Sequence, residues 1–155
     1  MIDAESHYDT DRLAQLLRSR HDCLLELRDL GRRQMELIQR GELAALLDLL
    51  AVKQQSIGRL QQIERALDPF RDQPPQQRRW RSAEHRRRCA ELVDQCQSLL
   101  AEVMAEEKQC EAALLCRRQQ TLALLEKMQM TSNVQAAYAA EWGILGGQLN
   151  MLSEG

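Results

Sequence analysis

Residues 40–70 read RGELAALLDLLAVKQQSIGRLQQIERALDPF, and this stretch decides the predicted fold. Apolar residues recur in it at helical spacing, and one column repeats every seven residues: Leu46, Lys53, Leu60 and Leu67. This period is typical of a helix that packs against other helices. We predict a helix over residues 42–68, because Gly41 suits a C-cap turn before it and Pro69 disfavours helical backbone at the preceding residue.

Lys53 is the one charged residue in that column. A lysine stem packs readily among leucines while its ammonium group reaches water. We therefore expect Lys53 to lie at the edge of the core with its Nζ in solvent.

The helical pattern continues on both sides of this stretch. Over residues 3–39, two neighbouring columns form an apolar stripe broad enough to face two partner helices. The members of the stripe are Leu16, Cys23, Leu30, Leu37, Leu17, Leu24, Gly31 and Ile38. Residues 77–130 contain neither glycine nor proline, and their main column contains Cys89, Cys96, Val103 and Cys110. Pro74 and Pro75 favour an extended link before this third segment.

These patterns predict an all-α fold. Hydrophobic residues make up 44% of the chain but aromatic residues only 3%, which is typical of helical bundles and long coiled coils. Short links between helices make neighbouring helices antiparallel. We predict an antiparallel three-helix bundle or coiled coil over residues 1–130, with helices at about 3–39, 42–68 and 77–130.

The C-terminal part of the sequence differs from the rest. Thr131, Ser132 and Asn133 interrupt the long pattern and offer an N-cap, and several glycines follow. We predict a loose tail over residues 131–155 that is flexible or forms a short helix.

The predicted third helix is longer than its neighbours. It would outrun them by about 16 residues, or roughly 24 Å, near residues 114–130. An exposed apolar stripe there requires a partner to prevent aggregation, although the tail or a second copy of the chain are alternative covers. The residues predicted to bind a partner are Leu114, Leu124, Leu125 and Met128, with Tyr138 and Trp142 as a second contact.

The sequence contains no recognisable catalytic constellation. None of the histidines lies beside a Ser or Cys in a nucleophile motif, and neither a phosphate loop nor a dinucleotide fingerprint occurs. His85 and Cys89 are four residues apart, but no further ligands follow at the spacing of a tetrahedral metal site. We expect no enzymatic activity, no metal and no cofactor.

The five cysteines include no CxxC pair. Seven residues of helix span about 10.5 Å, beyond the roughly 7 Å Cα separation that a disulfide bridges, so the cysteines of one heptad column cannot pair along the helix. We expect them to pack as small buried hydrophobes. This use of cysteine, the acidic first residues and the lack of an apolar run of about 18 residues predict a cytoplasmic protein without a membrane span.

The strongest charge feature is RRWRSAEHRRR, residues 78–88, with six arginines and one tryptophan. Such a run can grip phosphates and stack on a base, so nucleic-acid binding is one alternative. The net charge is −2, however, and acidic residues surround the run. We favour a solvated helix face or a patch for an acidic protein partner.

The stretch GELAALLDLLAVKQQSIGRLQQIERAL resembles the core motif of the FlgN-type flagellar export chaperones. The matching positions begin with a Gly-Glu-Leu turn and continue with leucines and one lysine: Gly41, Glu42, Leu43, Leu46, Leu50, Lys53, Leu60 and Leu67. A long preceding helix, a longer following helix and a loose C-terminal tail are also similar to that family.

The resemblance implies a small cytoplasmic chaperone that binds hook-associated filament-junction proteins and delivers them to the export gate. It also implies that the end of the last helix grips the substrate and that a tail aromatic, Tyr138 here, contacts an export-gate component. Alternatives are a structural coiled-coil adaptor or homodimeric scaffold unrelated to secretion, and a nucleic-acid-binding helical protein that uses residues 78–88.

Overall fold

The computed structural model describes residues 9–153, with side chains described over residues 9–141. Three α-helices account for most of these residues: α1 Asp9–Arg40, α2 Leu43–Asp72 and α3 Ala83–Ser153. A 3-10 turn, Pro75–Gln77, lies in the link between α2 and α3, and the described residues include no strand. The predicted all-α fold with a very long third helix is confirmed. Within the described part of the chain, no helix has the length and hydrophobicity needed to cross a membrane.

The chain divides into two units, Met1–Ala113 and Leu114–Gly155. The first unit contains α1, α2 and residues 83–113 of α3, and it holds all the buried side chains among the described residues. The second unit consists of the continuation of α3. The sequence-based boundary at residue 130 therefore lies further along the chain than this division.

α3 runs parallel to α1. The Sγ of Cys96 donates to the Leu17 carbonyl at 3.9 Å, and the Sγ of Cys110 donates to the Gly31 carbonyl at 3.7 Å. Both pairs have the same separation of 79 residues, so the two helices advance in the same direction.

α2 runs antiparallel to the other two helices. Arg20 near the start of α1 pairs with Glu64 near the end of α2, whereas Gln34 near the end of α1 accepts a hydrogen bond from Lys53 at 2.8 Å. Residue numbers on α2 therefore fall as those on α1 rise. The predicted antiparallel packing of neighbouring helices is confirmed within the first unit, so the three helices run up, down and up.

α1 is the central helix of the core. Its apolar side chains take part in three clusters that follow one another along the bundle. The middle cluster contains Cys23, Leu24, Leu27, Cys96 and Leu99. This arrangement follows from the broad stripe on α1, since two adjacent columns of apolar residues need two helices to cover them.

The turn between α1 and α2 depends on Gly41. Its φ of 71° lies in the left-handed region, which glycine enters without the steric cost of a Cβ. The Gly41 N–H donates to the Ile38 carbonyl, and the Glu42 N–H donates to the Leu37 carbonyl, each at 3.1 Å. This pair of bonds is the Schellman motif, which satisfies the last carbonyls of a helix. The C-cap predicted at Gly41 is confirmed.

Two helix ends differ from those predicted. α2 continues through Pro69 to Asp72, because Phe70 packs against the cluster that contains Leu67 and its burial outweighs the helix-breaking effect of the proline. α3 begins at Ala83 instead of residue 77, because the Ser82 Oγ accepts a hydrogen bond from a first-turn N–H at 3.1 Å and so caps the helix there. The first residues of the predicted helix 3–39, residues 3–8, lie outside the described residues.

The predicted break at residues 131–133 is not found, because α3 continues through them. The Thr131 Oγ1 donates to the Lys127 carbonyl at 2.9 Å, and the Gln129 Nε2 donates to the Asn133 Oδ1 at 3.1 Å. These polar side chains therefore bond back within the same helix, as Thr does when it sits inside a helix. They do not cap a new one.

Lys53 lies deeper than the sequence predicted. Lys53 is 7% exposed. Its Nζ donates a hydrogen bond to the Gln34 Oε1 and pairs with the Glu107 carboxylate. The expectation that this ammonium reaches solvent is wrong, because it is bound both by the buried Gln34 of α1 and by Glu107 of α3. One cation thus connects α1, α2 and α3.

We expect Gly41→Ala to destabilise the protein by about 1–2 kcal/mol, because alanine in the left-handed region brings its Cβ against the following carbonyl. Gly58→Ala is the matched control, since Gly58 lies inside α2 with nothing within 4 Å of an added Cβ. That change should stabilise the helix by up to about 1 kcal/mol. Urea unfolding followed by circular dichroism measures both, and equal effects of the two changes would contradict the assigned turn geometry.

We expect Lys53→Met to lower the free energy of unfolding by about 1–3 kcal/mol, because it leaves the buried Gln34 Oε1 without a donor. The double variant Lys53→Met/Gln34→Leu removes the donor and the acceptor of this bond and should recover most of this loss, as apolar replacement of buried polar pairs often does. Glu107, the other partner of Lys53, can be solvated in both variants because its side chain is 42% exposed. Chemical denaturation of the single and double variants checks the coupling. A Lys53→Met protein as stable as the parent would show that the bond contributes nothing.

Candidate partner-binding surfaces

Apolar side chains are exposed along the second unit. We call them the 114–138 surface, and its members are Leu114, Leu115, Leu122, Leu124, Leu125, Met128, Met130, Val134 and Tyr138. Their exposed fractions run from 42% at Leu114 to 68% at Met130, and no described side chain from residue 114 to 141 is buried. An apolar stretch of this length marks an interaction surface or an aggregation hazard.

The predicted partner residues fall on two adjoining strips of this helix. Leu114, Leu125 and Met128 are separated by 11 and 3 residues, about three turns and one turn, so they lie on one side. Leu124 and Tyr138 are 14 residues apart, about four turns, and lie on the neighbouring side. The side chain of Trp142, the sixth predicted residue, lies outside the described residues.

The arginines of residues 78–88 are divided among different partners. Arg81 pairs with Asp11 of α1 at 2.6 Å, and Arg88 pairs with Glu84 at 2.7 Å. Arg78 donates to a backbone carbonyl of α2 at 2.6 Å. The run therefore does not form one uniform cationic face, and part of it ties the start of α3 to α1 and α2.

Two cavities lie between α2 and α3, and we call the surface that contains both of them the α2–α3 groove. The first has a volume of about 450 Å³ and lies between Phe70 on α2 and Val93 on α3. The second has a volume of about 550 Å³ and lies between Ile57 on α2 and Met104 on α3. Sequence reasoning did not find this groove, because periodicity shows which side of a helix is apolar but not how far apart two helices lie.

Glu64 holds two of the arginines that line the first cavity. Its carboxylate accepts hydrogen bonds from Arg20 and Arg71. Burial acts to raise the pKa of Glu64, but the hydrogen bonds from the two arginines outweigh burial and hold this pKa below its ordinary value. The stabilisation from this lowered pKa is present at neutral pH and is lost as the pH falls through it.

Four of the five cysteines are buried, and all five are free thiols. Burial raises the pKa of the four buried thiols above the ordinary value; they are Cys23, Cys89, Cys96 and Cys110. Cys116 is exposed, because it belongs to the second unit, where no described side chain is buried. The expectation of buried cysteines is therefore correct for four positions and wrong for Cys116.

Across residues 9–141, no three side chains of His, Cys, Asp or Glu lie close enough together to hold a metal ion. The ring of His85 lies beside that of Trp80, with centroids 5.7 Å apart and planes tilted by 58°. His85 and Cys89 thus belong to the packing at the start of α3.

Comparison with protein-family models, curated proteins and solved structures gives no match to this chain. The similarity of residues 41–67 to the FlgN-type motif therefore stays a prediction. Function has to be inferred from the exposed surfaces and the groove.

We expect one thiol of the native protein to react rapidly with a chromogenic disulfide reagent at about pH 8, and the other four to react only as the protein unfolds. Cys116→Ser should remove the fast phase, because Cys116 is the exposed cysteine. Cys110→Ser, the control at a buried position, should leave the fast phase unchanged. Two or more fast thiols in the folded protein would contradict the described core.

Proposed function

We propose that this chain is a cytoplasmic flagellar export chaperone of the FlgN type, which binds hook-associated filament-junction proteins through the 114–138 surface. The observation that carries the proposal is the exposure of that surface, where Leu125 and Met128 are each more than half exposed. A chaperone of unassembled subunits needs an apolar surface of this kind, because it must cover an apolar helix of its client until assembly.

Four of the eight residues that resemble the FlgN motif form the first turn or are buried in the bundle, whereas Leu43 is 61% exposed. Gly41 forms the turn between α1 and α2, and Leu46, Lys53 and Leu67 are buried. The likeness therefore concerns the first unit, residues 1–113, whereas the proposed client contact belongs to the second. The first unit thus has its own packed core, and its folding does not bury the side chains of the 114–138 surface.

Contact with an export-gate component is assigned to Tyr138 by the resemblance. Its side chain is 60% exposed, and an exposed tyrosine supplies a large contact area at a small entropic cost. Tyr138→Ala is therefore expected to weaken the gate contact while client binding through Leu125 and Met128 persists.

A homodimeric scaffold is the second candidate, and the same exposed surface favours it. A second copy of the chain would cover its leucines and methionines as well as a client helix does. The two candidates differ in what happens at high protein concentration without a client.

We expect Leu125→Asp/Met128→Asp to abolish capture of a purified hook-associated protein, because two carboxylates would be buried against an apolar client helix. The bundle should stay folded, since both side chains are exposed and surface changes usually alter stability by less than about 0.5 kcal/mol. Thermal unfolding and pull-down are measured on the same protein preparation.

Gln119→Asp/Ala123→Asp is the matched control, because it adds two carboxylates four residues apart on the side of the same helix that faces away from the predicted partner residues. It should retain client capture. A double Asp variant that melts far below the parent would show that Leu125 and Met128 are core residues. A parent protein that binds no hook-associated protein, but forms a dimer that the Leu125/Met128 changes dissociate, would establish the scaffold instead.

A further inference from the structure

The α2–α3 groove lies entirely in the first unit, and its role is independent of the function proposed above. Most of the α3 residues that line the groove lie in one row: Arg86, Ala90, Val93, Gln97 and Met104, with Cys89, Val103 and Glu107 beside it. Their spacing of three, four or seven residues keeps them in one row. Met104 lies 18 residues beyond Arg86, which corresponds to about 27 Å or five helical turns.

The groove has an apolar floor and two defined ends. Leu17 and Leu27 of α1 line the two cavities from below. Trp80 lines the groove where the link enters α3, and the Lys53–Glu107 ion pair joins α2 to α3 at the other end. Both cavities fall within the range of about 300–1,000 Å³ that is common for ligand pockets.

The end of the groove near Trp80 is positively charged. Four arginines line the first cavity, and no Asp or Glu lines it: Arg20, Arg71, Arg78 and Arg86. Two of these charges are balanced by carboxylates, because Arg20 and Arg71 both pair with Glu64 and Arg71 also pairs with Asp68 at 2.9 Å. Neither of these carboxylates pairs with Arg78 or Arg86.

Arg78 and Arg86 both lack an anionic partner. Arg78 donates from Nη2 to the Phe70 carbonyl, and its Nε is buried without a hydrogen-bond acceptor. Arg86 is exposed and forms no ion pair with any described residue. An unsatisfied buried donor on a cation is costly, and a carboxylate is the group that satisfies it with two strong hydrogen bonds.

We propose that the α2–α3 groove binds an amphipathic helix of a partner protein, with apolar side chains in the two cavities and carboxylates on Arg78 and Arg86. The shape favours a helix over a small anion. The row on α3 extends over five helical turns beside buried leucines, and such an elongated apolar surface resembles the one by which α1 packs against α2 and α3. The charge favours an acidic partner at the Trp80 end. The bound helix would become the fourth helix of the bundle.

The test uses synthetic helical peptides of about three heptads, with leucines at i, i+3, i+4 and i+7 and glutamates placed at one end or the other. A matched set carries glutamine in place of every glutamate. The Trp142→Phe chain leaves Trp80 as the single tryptophan, so the emission of Trp80 reports occupancy of the cavity. We expect a saturable change with an acidic peptide and binding at least about tenfold weaker with its glutamine form.

Arg86→Gln should weaken binding of the acidic peptide by about tenfold and leave binding of the glutamine peptide unchanged. Arg87→Gln is the matched control, because Arg87 is the next residue on α3 but does not line the cavity. Arg78→Gln should weaken binding at least as much, and thermal unfolding checks whether loss of its bond to the Phe70 carbonyl alters the fold. The Leu125→Asp/Met128→Asp variant should bind the acidic peptide with the same affinity as the parent protein, which distinguishes this site from the 114–138 surface.

Three results would overturn the proposal. In the first, no acidic peptide binds; in the second, acidic and glutamine peptides bind equally well. In the third, Arg86→Gln and Arg87→Gln weaken peptide binding equally, which would indicate non-specific charge attraction. A dimer that forms without peptide and dissociates on Arg86→Gln would show that a second copy of the chain fills the groove. Sedimentation of the peptide-free protein detects that case.

Discussion

Burial of the two apolar columns of α1 is the interaction on which the first unit depends. Leu24 and Ile38 lie in one of these columns and are almost wholly buried. Because the stripe is too wide for one partner, α2 and α3 both pack on α1, and each buries only part of its own surface. The α2–α3 groove is a direct consequence of this division, since two helices that share one support leave a cleft between them.

Polar contacts set the alignment of α2 and α3 along the apolar surface of α1. The Lys53 ammonium meets Gln34 of α1 and Glu107 of α3, so a shift of either helix by one turn would remove one of the two partners of a buried cation. On the seam between α1 and α3, an added Cβ at Gly31 would lie 3.1 Å from the side chain of Glu106. We infer that leucine packing supplies stability, while these positions select one alignment of the three helices.

One heptad column of α3 serves two different purposes. It begins with Cys89, Cys96 and Cys110, which are buried against α1, and it continues to Leu124, which is exposed. The repeat itself does not change along the helix, but the first unit ends at Ala113. The sequence therefore predicted the helix and its apolar side, and the excess length of α3 indicated that residues 114–130 are exposed. The repeat itself contains no signal that marks the residue where burial stops.

The sequence alone determined the three helices, their up-down-up order and the left-handed turn at Gly41, because these depend on periodicity and on local backbone chemistry. Tertiary structure decided the continuation of α2 past Pro69, the internal pairing of Lys53 and the cluster of arginines around the first cavity. Each of these depends on which side chains from distant parts of the chain come within contact distance. Phe70 extends α2 because it meets a core formed by α1 and α3, and Arg78 lines the cavity because three helices meet beside it.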